Sequence, residues 1–414
     1  MDIPAASFRS RAVTVCSALA LAGLAAAITV SARAADASVQ FVRTAGDGFV
    51  LAGKPFFVAG VNNHYLTFGT EQEVRRVLDD AVQLHANVIR VFLQPVIGSL
   101  DGRVPSVWNW QSPASSSDLG VNGTYLLYWD RKSSQMAINE GASGMHKVDF
   151  LVDECRKRNI KLIIALLDFW AYGGAQQMRA WYKSVDRNRF FFEDPRTRSD
   201  YRRWAHYVVN RANSLNGRHY KDDPTIMAWE LMNEANIEPA SLKTGWVSEM
   251  SSYLKSEDSN HLVASGGAGV NDRLADMRIP TVDFGTWHGY PLFYGLTVQQ
   301  FNKLIDQSCN IAANLQKPVL LEEFGYARSN SDQADAYQQW LDKLQSNKDC
   351  AGWLVWRLVS YQQDGKYPLD EHDQFDIRND GSPIWSIIKE AAEHGVIGRG
   401  HEVPRQSDDT GRPQ

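Results

Sequence analysis

At 414 residues, with 44% hydrophobic and 22% charged residues, the chain has the make-up of an ordinary globular protein, long enough for one barrel of about 250 to 400 residues. Its net charge of −5 excludes the basic footprint of a nucleic-acid-binding protein.

Residues 1–34 read as an export leader. Arg9 and Arg11 precede an apolar run over 12–30, and Ala32-Arg33-Ala34 offers a small-x-small cleavage site. The alternative is an uncleaved anchor, since the run approaches the ~20 residues that span a bilayer. Cleavage near Ala34 predicts a secreted or periplasmic protein with no membrane segment. Export removes Cys16 and leaves Cys155, Cys309 and Cys350, an odd count that allows one disulfide at most. Cys309 with Cys350 is the pair to test.

From residue 56 onward, short apolar runs at 56–61, 87–93, 160–167, 225–231, 261–265, 282–287, 318–321 and 352–356 alternate with amphipathic stretches. Helical periodicity stands between most of them, as at 71–84, 145–158, 199–215, 298–315 and 332–344. Eight strand-helix units predict a (β/α)8 barrel over 35–394. Residues 94–143 hold Trp108, Trp110, Tyr125, Tyr128 and Trp129 within a Ser-, Gly- and Asn-rich stretch, which predicts an ordered insertion at the barrel mouth that limits access to it. The tail 395–414 reads as disordered.

In such a barrel the polar residues at the C-terminal strand ends form the site. Strand one ends in Asn62-Asn63-His64, strand two carries Arg90, and strand three runs into Asp168-Phe169-Trp170. Strand four leads to Asn233-Glu234, strand six to His288-Gly289-Tyr290, strand seven to Glu323 and strand eight to Trp356-Arg357. Glutamates on strands four and seven point into a common space from opposite sides of a narrow barrel. Cleaving a glycosidic bond with retention needs such a pair about 5 to 5.5 Å apart, one protonated on the leaving oxygen and one attacking the anomeric carbon. The plainer reading is two structural salt bridges.

Each motif offers two glutamates. Glu230 shares a face with Glu234 but lies about 13 Å deeper at ~3.3 Å per residue, so it is expected to be structural, paired with an inward arginine or another donor. Glu322 and Glu323 are expected on opposite faces, with only one toward the cleft. The 13 tryptophans and 15 tyrosines supply flat faces of the kind that bind sugar rings. No histidine set has metal-ligand spacing and no glycine motif cradles phosphate, so neither a metal nor a cofactor is expected. The acidic run Asp364, Asp370, Glu371, Asp373 and Asp376 reads as a solvated loop.

Trp229-Glu230-Leu231-Met232-Asn233-Glu234 with the preceding 220–226, Glu322-Glu323-Phe324-Gly325, Trp170-Ala171-Tyr172-Gly173-Gly174 and His288-Gly289-Tyr290-Pro291 together resemble family five of the glycoside hydrolases, in its β-mannanase branch. The resemblance extends over the whole barrel. It implies Glu234 as acid/base, Glu323 as nucleophile and Asn233 on the 2-hydroxyl of the sugar being cleaved. It also implies Arg90 and Tyr290 as holding the nucleophile, His288 beside the acid/base, Trp170 on the substrate, and Trp356 as the platform under the reacting sugar. The chain departs from the pattern at Ala235-Asn236, where Pro-Arg is common, and at Arg357, where glutamine is usual. The implied activity is cofactor-free, retaining hydrolysis of β-1,4-mannosidic bonds in mannan or mannooligosaccharides by a monomer. In that role Glu234 needs a raised pKa while Glu323 stays charged. A β-1,4-glucanase, an exo-acting β-mannosidase and a non-catalytic carbohydrate-binding barrel remain as alternatives.

Overall fold

The computed structural model describes residues 40–107, 119–170, 173–183, 189–235, 237–267, 275–368 and 373–398. The leader, Trp108, Trp110 and the tail beyond 398 lie outside the described residues. Eight strands form one sheet: β1 Val58–Asn62, β2 Val88–Phe92, β3 Lys161–Ala165, β4 Ile226–Glu230, β5 Leu262–Ala264, β6 Gly285–Gly289, β7 Val319–Phe324 and β8 Gly352–Val355. Every pairing is parallel, in the order β5-β4-β3-β2-β1-β8-β7-β6. The predicted barrel is therefore present, with one seam between β5 and β6. Asp283 stitches it: its backbone N–H donates to the Val263 carbonyl at 2.8 Å, and its carboxylate accepts from the Val263 N–H at 2.6 Å.

The longer helices are α1 Glu71–Gln83, α2 Met145–Lys157, α3 Pro195–Asn210, α4 Ala240–Glu257, α5 Val298–Leu315, α6 Gln333–Ser346 and α7 Pro383–Gly398, with short ones at Ala175–Trp181, Arg189–Glu193 and Pro291–Tyr294. Capping boxes start α1 (Thr70 with Glu73) and α5 (Thr297 with Gln300). The third begins earlier than its periodicity predicts, because Asp194 caps it and Pro195 opens it. Between β5 and β6 the 3-10 turn Ala275–Arg278 is the one helical element among the described residues. The last helix runs to Gly398, past the boundary expected at 394.

Alternate side chains of each strand face the barrel axis. At one level these are Val58, Val88, Ile163, Ala228, Leu262, Phe284, Leu320 and Leu354, packed with Val42 and Phe49 from the N-terminal antiparallel hairpin. The next inward positions are Gly60, Arg90, Glu230 and Glu322, so a charged layer rests on an apolar floor. A Cβ on Gly60 would come within 2.8 Å of the Leu354 side chain and the Val88 carbonyl, leaving room only for glycine. The outward positions, among them Trp229, Trp287 and Trp353, join the larger core beneath the helices, each contributing roughly 1.5–3 kcal/mol by burial.

Within the insertion, Val96–Ser99, Leu127–Asp130 and Gln135–Ile138 form a small three-stranded sheet. Trp129 stacks on Trp181 at 5.9 Å and meets Tyr182 edge-on at 5.3 Å, while Tyr125 and Tyr128 pack on each other. Cys309 and Cys350 form a disulfide that ties α5 to the start of β8. Cys155 is a free thiol buried on α2.

Candidate active site

Beyond β4 the chain keeps bonding to both neighbours: Leu231 N–H to Ala264, Asn233 N–H to Leu167 and Glu234 N–H to Gly266, each at 2.9 Å. Glu234 then takes φ 50°, a left-handed conformation costing of order 1–2 kcal/mol, which ends the strand sharply. On β7, Leu321 pairs with Trp287 and Glu323 with His288, so Glu322 is skipped. This bulge corrects the expectation of opposite faces. The extra residue resets the alternation, and both carboxylates reach Arg90, Glu322 at 3.5 Å and Glu323 at 2.5 Å.

Arg90 is the hub of the buried layer. Its Nε and Nη2 donate to Glu230 at 2.7 and 2.6 Å, as expected for a structural Glu230. Its Nη1 donates to Glu323 at 2.5 Å and to Asn62 at 3.1 Å, and Nη2 also donates to Asn233 Oδ1 at 2.7 Å. Asn233 in turn donates to Asp168 at 2.9 Å. The Tyr290 hydroxyl donates to Glu323 at 2.6 Å. His288 Nδ1 lies 2.6 Å from Glu234 Oε1 and 3.4 Å from Glu323 Oε2, with Nε2 3.4 Å from Glu322. Trp170 Nε1 donates to the other oxygen of Glu234 at 2.8 Å.

One donor atom from each of Glu234, His288 and Glu323 falls within 4.8 Å of the others. Among the described residues this is the only group of metal-ligand type. Each of the three is already hydrogen-bonded to its neighbours, an arrangement suited to proton transfer. Trp356 flanks the cluster, edge to face with Phe92 at 6.0 Å and against Tyr290 and Phe375. All eight expected site residues thus stand in or beside one cluster.

Three participants carried no assigned role in the sequence reading. Asn62 and Asp168 had stood among the strand-end residues, and Glu322 had been half of an undecided pair. Beside the site, Arg357 donates to Asp376 at 2.8 Å and lies 3.0 Å from His64 Nδ1. Asp376 is buried, so this member of the acidic run is a structural partner of arginine and not part of a solvated loop.

Burial raises the pKa of Glu323, opposed by the charges of His288 and Arg90 and the hydrogen bond from Tyr290. Burial would also raise Glu234, but the hydrogen bond and charge of His288, with Trp170, outweigh it and bring Glu234 down to about 2. His288 is lowered by burial, yet Glu323, Glu234 and Glu322 around it push it up to about 10. In the resting site the shared proton therefore sits on the imidazole. This reverses the raised Glu234 expected from its role, because an imidazolium stands 2.6 Å away. Asp168, with burial as the main cause and Asn233 opposing it, rises to about 7.

Two carboxylates meeting above the polar layer of a (β/α)8 barrel define a hydrolase of glycosidic bonds. A family profile described as GH family 5 beta-mannosidase-like matches residues 133–350. The chain is 30% identical over 386 residues to a rice (Oryza sativa subsp. japonica) relative, covering 82% of this chain and 87% of that one. It is 27% identical over 356 residues to mannan endo-1,4-beta-mannosidase F of Aspergillus fumigatus, covering 80% and 74%. The crystal structure of the endo-1,4-beta-mannanase from Rhizomucor miehei superposes with a TM-score of 0.72 at 27% identity, over 86% of this chain and 99% of that one. The chain belongs to glycoside hydrolase family 5.

Proposed function

We propose that this enzyme hydrolyses β-1,4-mannosidic bonds in mannan or mannooligosaccharides with retention of configuration. The observation that carries the mechanism is the approach of one oxygen of Glu234 and one of Glu323 to within 4.8 Å, nearer the separation of about 5–5.5 Å of a retaining pair than the roughly 6.5–9.5 Å of an inverting one. Glu323, held by Arg90 and Tyr290, attacks the anomeric carbon and forms a glycosyl-enzyme. Glu234 protonates the leaving oxygen, then as a carboxylate takes a proton from the incoming water.

His288 supplies what Glu234 lacks at rest. When a sugar ring displaces water, a separated charge pair becomes costly, and the proton moves from Nδ1 to Glu234 along their 2.6 Å contact. Asn233, fixed between Arg90 and Asp168, bonds the 2-hydroxyl, and Trp356 and Trp170 flank the sugar. The mannan preference is supported by the relatives. Export through the leader at 1–34 fits the same reading, and no described helix is long and apolar enough to cross a membrane.

The test is a product profile of the purified protein on mannan, mannooligosaccharides and carboxymethylcellulose, with proton NMR of the first products. The β anomer released from mannan supports the reading. Early release of the α anomer removes Glu323 as nucleophile, and turnover of carboxymethylcellulose alone moves the substrate to β-glucan. Internal against terminal cleavage appears in the same profile.

A further inference from the structure

The loop that leaves β8 carries a second aromatic surface beyond Trp356. Its turn closes where Gln362 N–H donates to Lys366 at 2.7 Å and Gly365 N–H donates to Gln362 at 3.1 Å. Tyr361 and Tyr367 flank that turn, so their rings meet and stack at 4.2 Å, 28° apart. Arg378 stands 4.6 Å from the Tyr367 centroid. Two groups that close cannot share one ring face, so Tyr367 is sandwiched, and among the described residues Tyr367 is the one ring stacked on Tyr361. Tyr361 stays 50% exposed.

One face of α1 holds this loop rigidly. Glu73 accepts from Gln363 N–H at 3.1 Å, Arg76 donates to the carbonyls of Tyr361 and Gln362 at 3.1 and 2.8 Å, and Asp80 accepts from the Ser360 hydroxyl. The spacing 73, 76, 80 is that of one helical face. Between helix and loop lies a cavity of about 580 Å³ lined by Arg76, Asp79, Asp80, Ser360, Tyr361 and Gly365. Among the described residues nothing stands within 4 Å of where a Cβ on Gly365 would be.

A supported aromatic face beside carboxylates and a guanidinium suits a ligand with an apolar face and a rim of hydroxyls, which is a pyranose. Asp79 and Asp80 oppose a phosphate or another anion, and the charged lining opposes an apolar peptide. We propose that this cavity is a second carbohydrate-binding site, which holds β-mannan outside the catalytic cleft. The choice of mannan rests on the function proposed above. Tyr361 follows Trp356 by five residues, at most about 18 Å of extended chain, which is within the span of a few sugar units of one polymer molecule.

The test uses the full chain with Tyr361→Ala and Tyr361→Trp, neither touching the catalytic cluster. Retardation in native gels containing soluble mannan, and KM and kcat/KM on mannan and on mannotriose, are compared with the wild type. Tyr361→Ala should lose several-fold in retardation and raise KM on mannan several-fold, with kcat/KM on mannotriose unchanged, and Tyr361→Trp should restore both. Unchanged retardation and KM in a Tyr361→Ala protein of normal thermal transition overturns the site. Equal losses on mannotriose also overturn it, as does failure of Tyr361→Trp to restore binding. A wild type that cleaves another polysaccharide instead of mannan rejects the substrate reading. The same variant-to-wild-type ratios, measured on that polysaccharide, still decide the site.

Discussion

Arg90 lays its Nε and Nη2 on the two carboxylate oxygens of Glu230, at 2.7 and 2.6 Å, with neither side chain exposed. That fork uses the arginine plane, and the remaining Nη1 is thereby aimed at Glu323. A lysine keeps the charge but not the fork. Arg90→Lys should fold and lose roughly 10²-fold or more in kcat, on the scale of removing one preorganised donor from a reacting anion. Arg90→Ala should lower the urea unfolding free energy by about 3–5 kcal/mol, since it strands buried carboxylates without their cation. A urea midpoint equal to wild type in Arg90→Ala would show that the layer is not held by this arginine.

His288 makes the pH dependence asymmetric. With Glu234 at about 2 and His288 at about 10, the pair carries one proton across the working range, and the basic limb of kcat/KM marks its loss. His288→Asn removes the imidazolium, and burial then raises Glu234, so the proton is kept by a lone carboxyl and lost earlier. The basic limb should move to lower pH, and a limb that stays in place would separate His288 from the proton supply. For stability the sign follows from a folded value above the ordinary 6.5. The contribution of His288 is complete below the unfolded value and is lost as pH rises toward about 10.

The barrel was legible because its strands are separate apolar runs, each between turn signals, and Arg90, Glu234 and Glu323 fall at their ends. Two features were not. The alternation rule places Glu322 and Glu323 on opposite faces, whereas a bulge, set by the register against Trp287 and His288, turns both inward. The charge state of Glu234 depends on an imidazole 54 residues away in sequence, and no local pattern carries that proximity. The seam was equally hidden, since a side chain, Asp283, makes there a bond that regular strand pairing makes elsewhere. The insertion was expected at the barrel mouth; of its aromatics, Trp129 packs on Trp181 and Tyr182, and Trp108 and Trp110 fall outside the described residues.

The disulfide closes a loop of 41 residues between α5 and β8. By loop-closure entropy such a cross-link is worth about 4 kcal/mol. Replacing both cysteines by serine should therefore lower the thermal midpoint by several degrees, with kcat little changed because neither cysteine touches the carboxylate cluster. Calorimetry of the double variant checks it, and an unaltered midpoint would show that the unfolded chain does not gain freedom on losing the bond.

Glu234 gives the most direct test of the assigned chemistry. Its oxygens contact only His288 and the Trp170 indole among the polar partners described above, so Glu234→Ala removes a proton donor while Arg90 keeps its carboxylates and the His288 imidazolium keeps Glu322 and Glu323 at 3.4 Å. On mannan or mannotriose, glycosyl transfer to Glu323 needs the leaving oxygen protonated, and the variant should lose about 10²–10⁴-fold. An aryl β-mannoside with a strongly acidic phenol leaves without a proton, so its first step should keep near-normal speed and the glycosyl-enzyme should accumulate as a burst. Added azide, a nucleophile that needs no deprotonation, should then speed turnover. Equal losses in the pre-steady-state burst rate on both substrates would mean that Glu234 is not the acid, and His288 would have to protonate the leaving group itself.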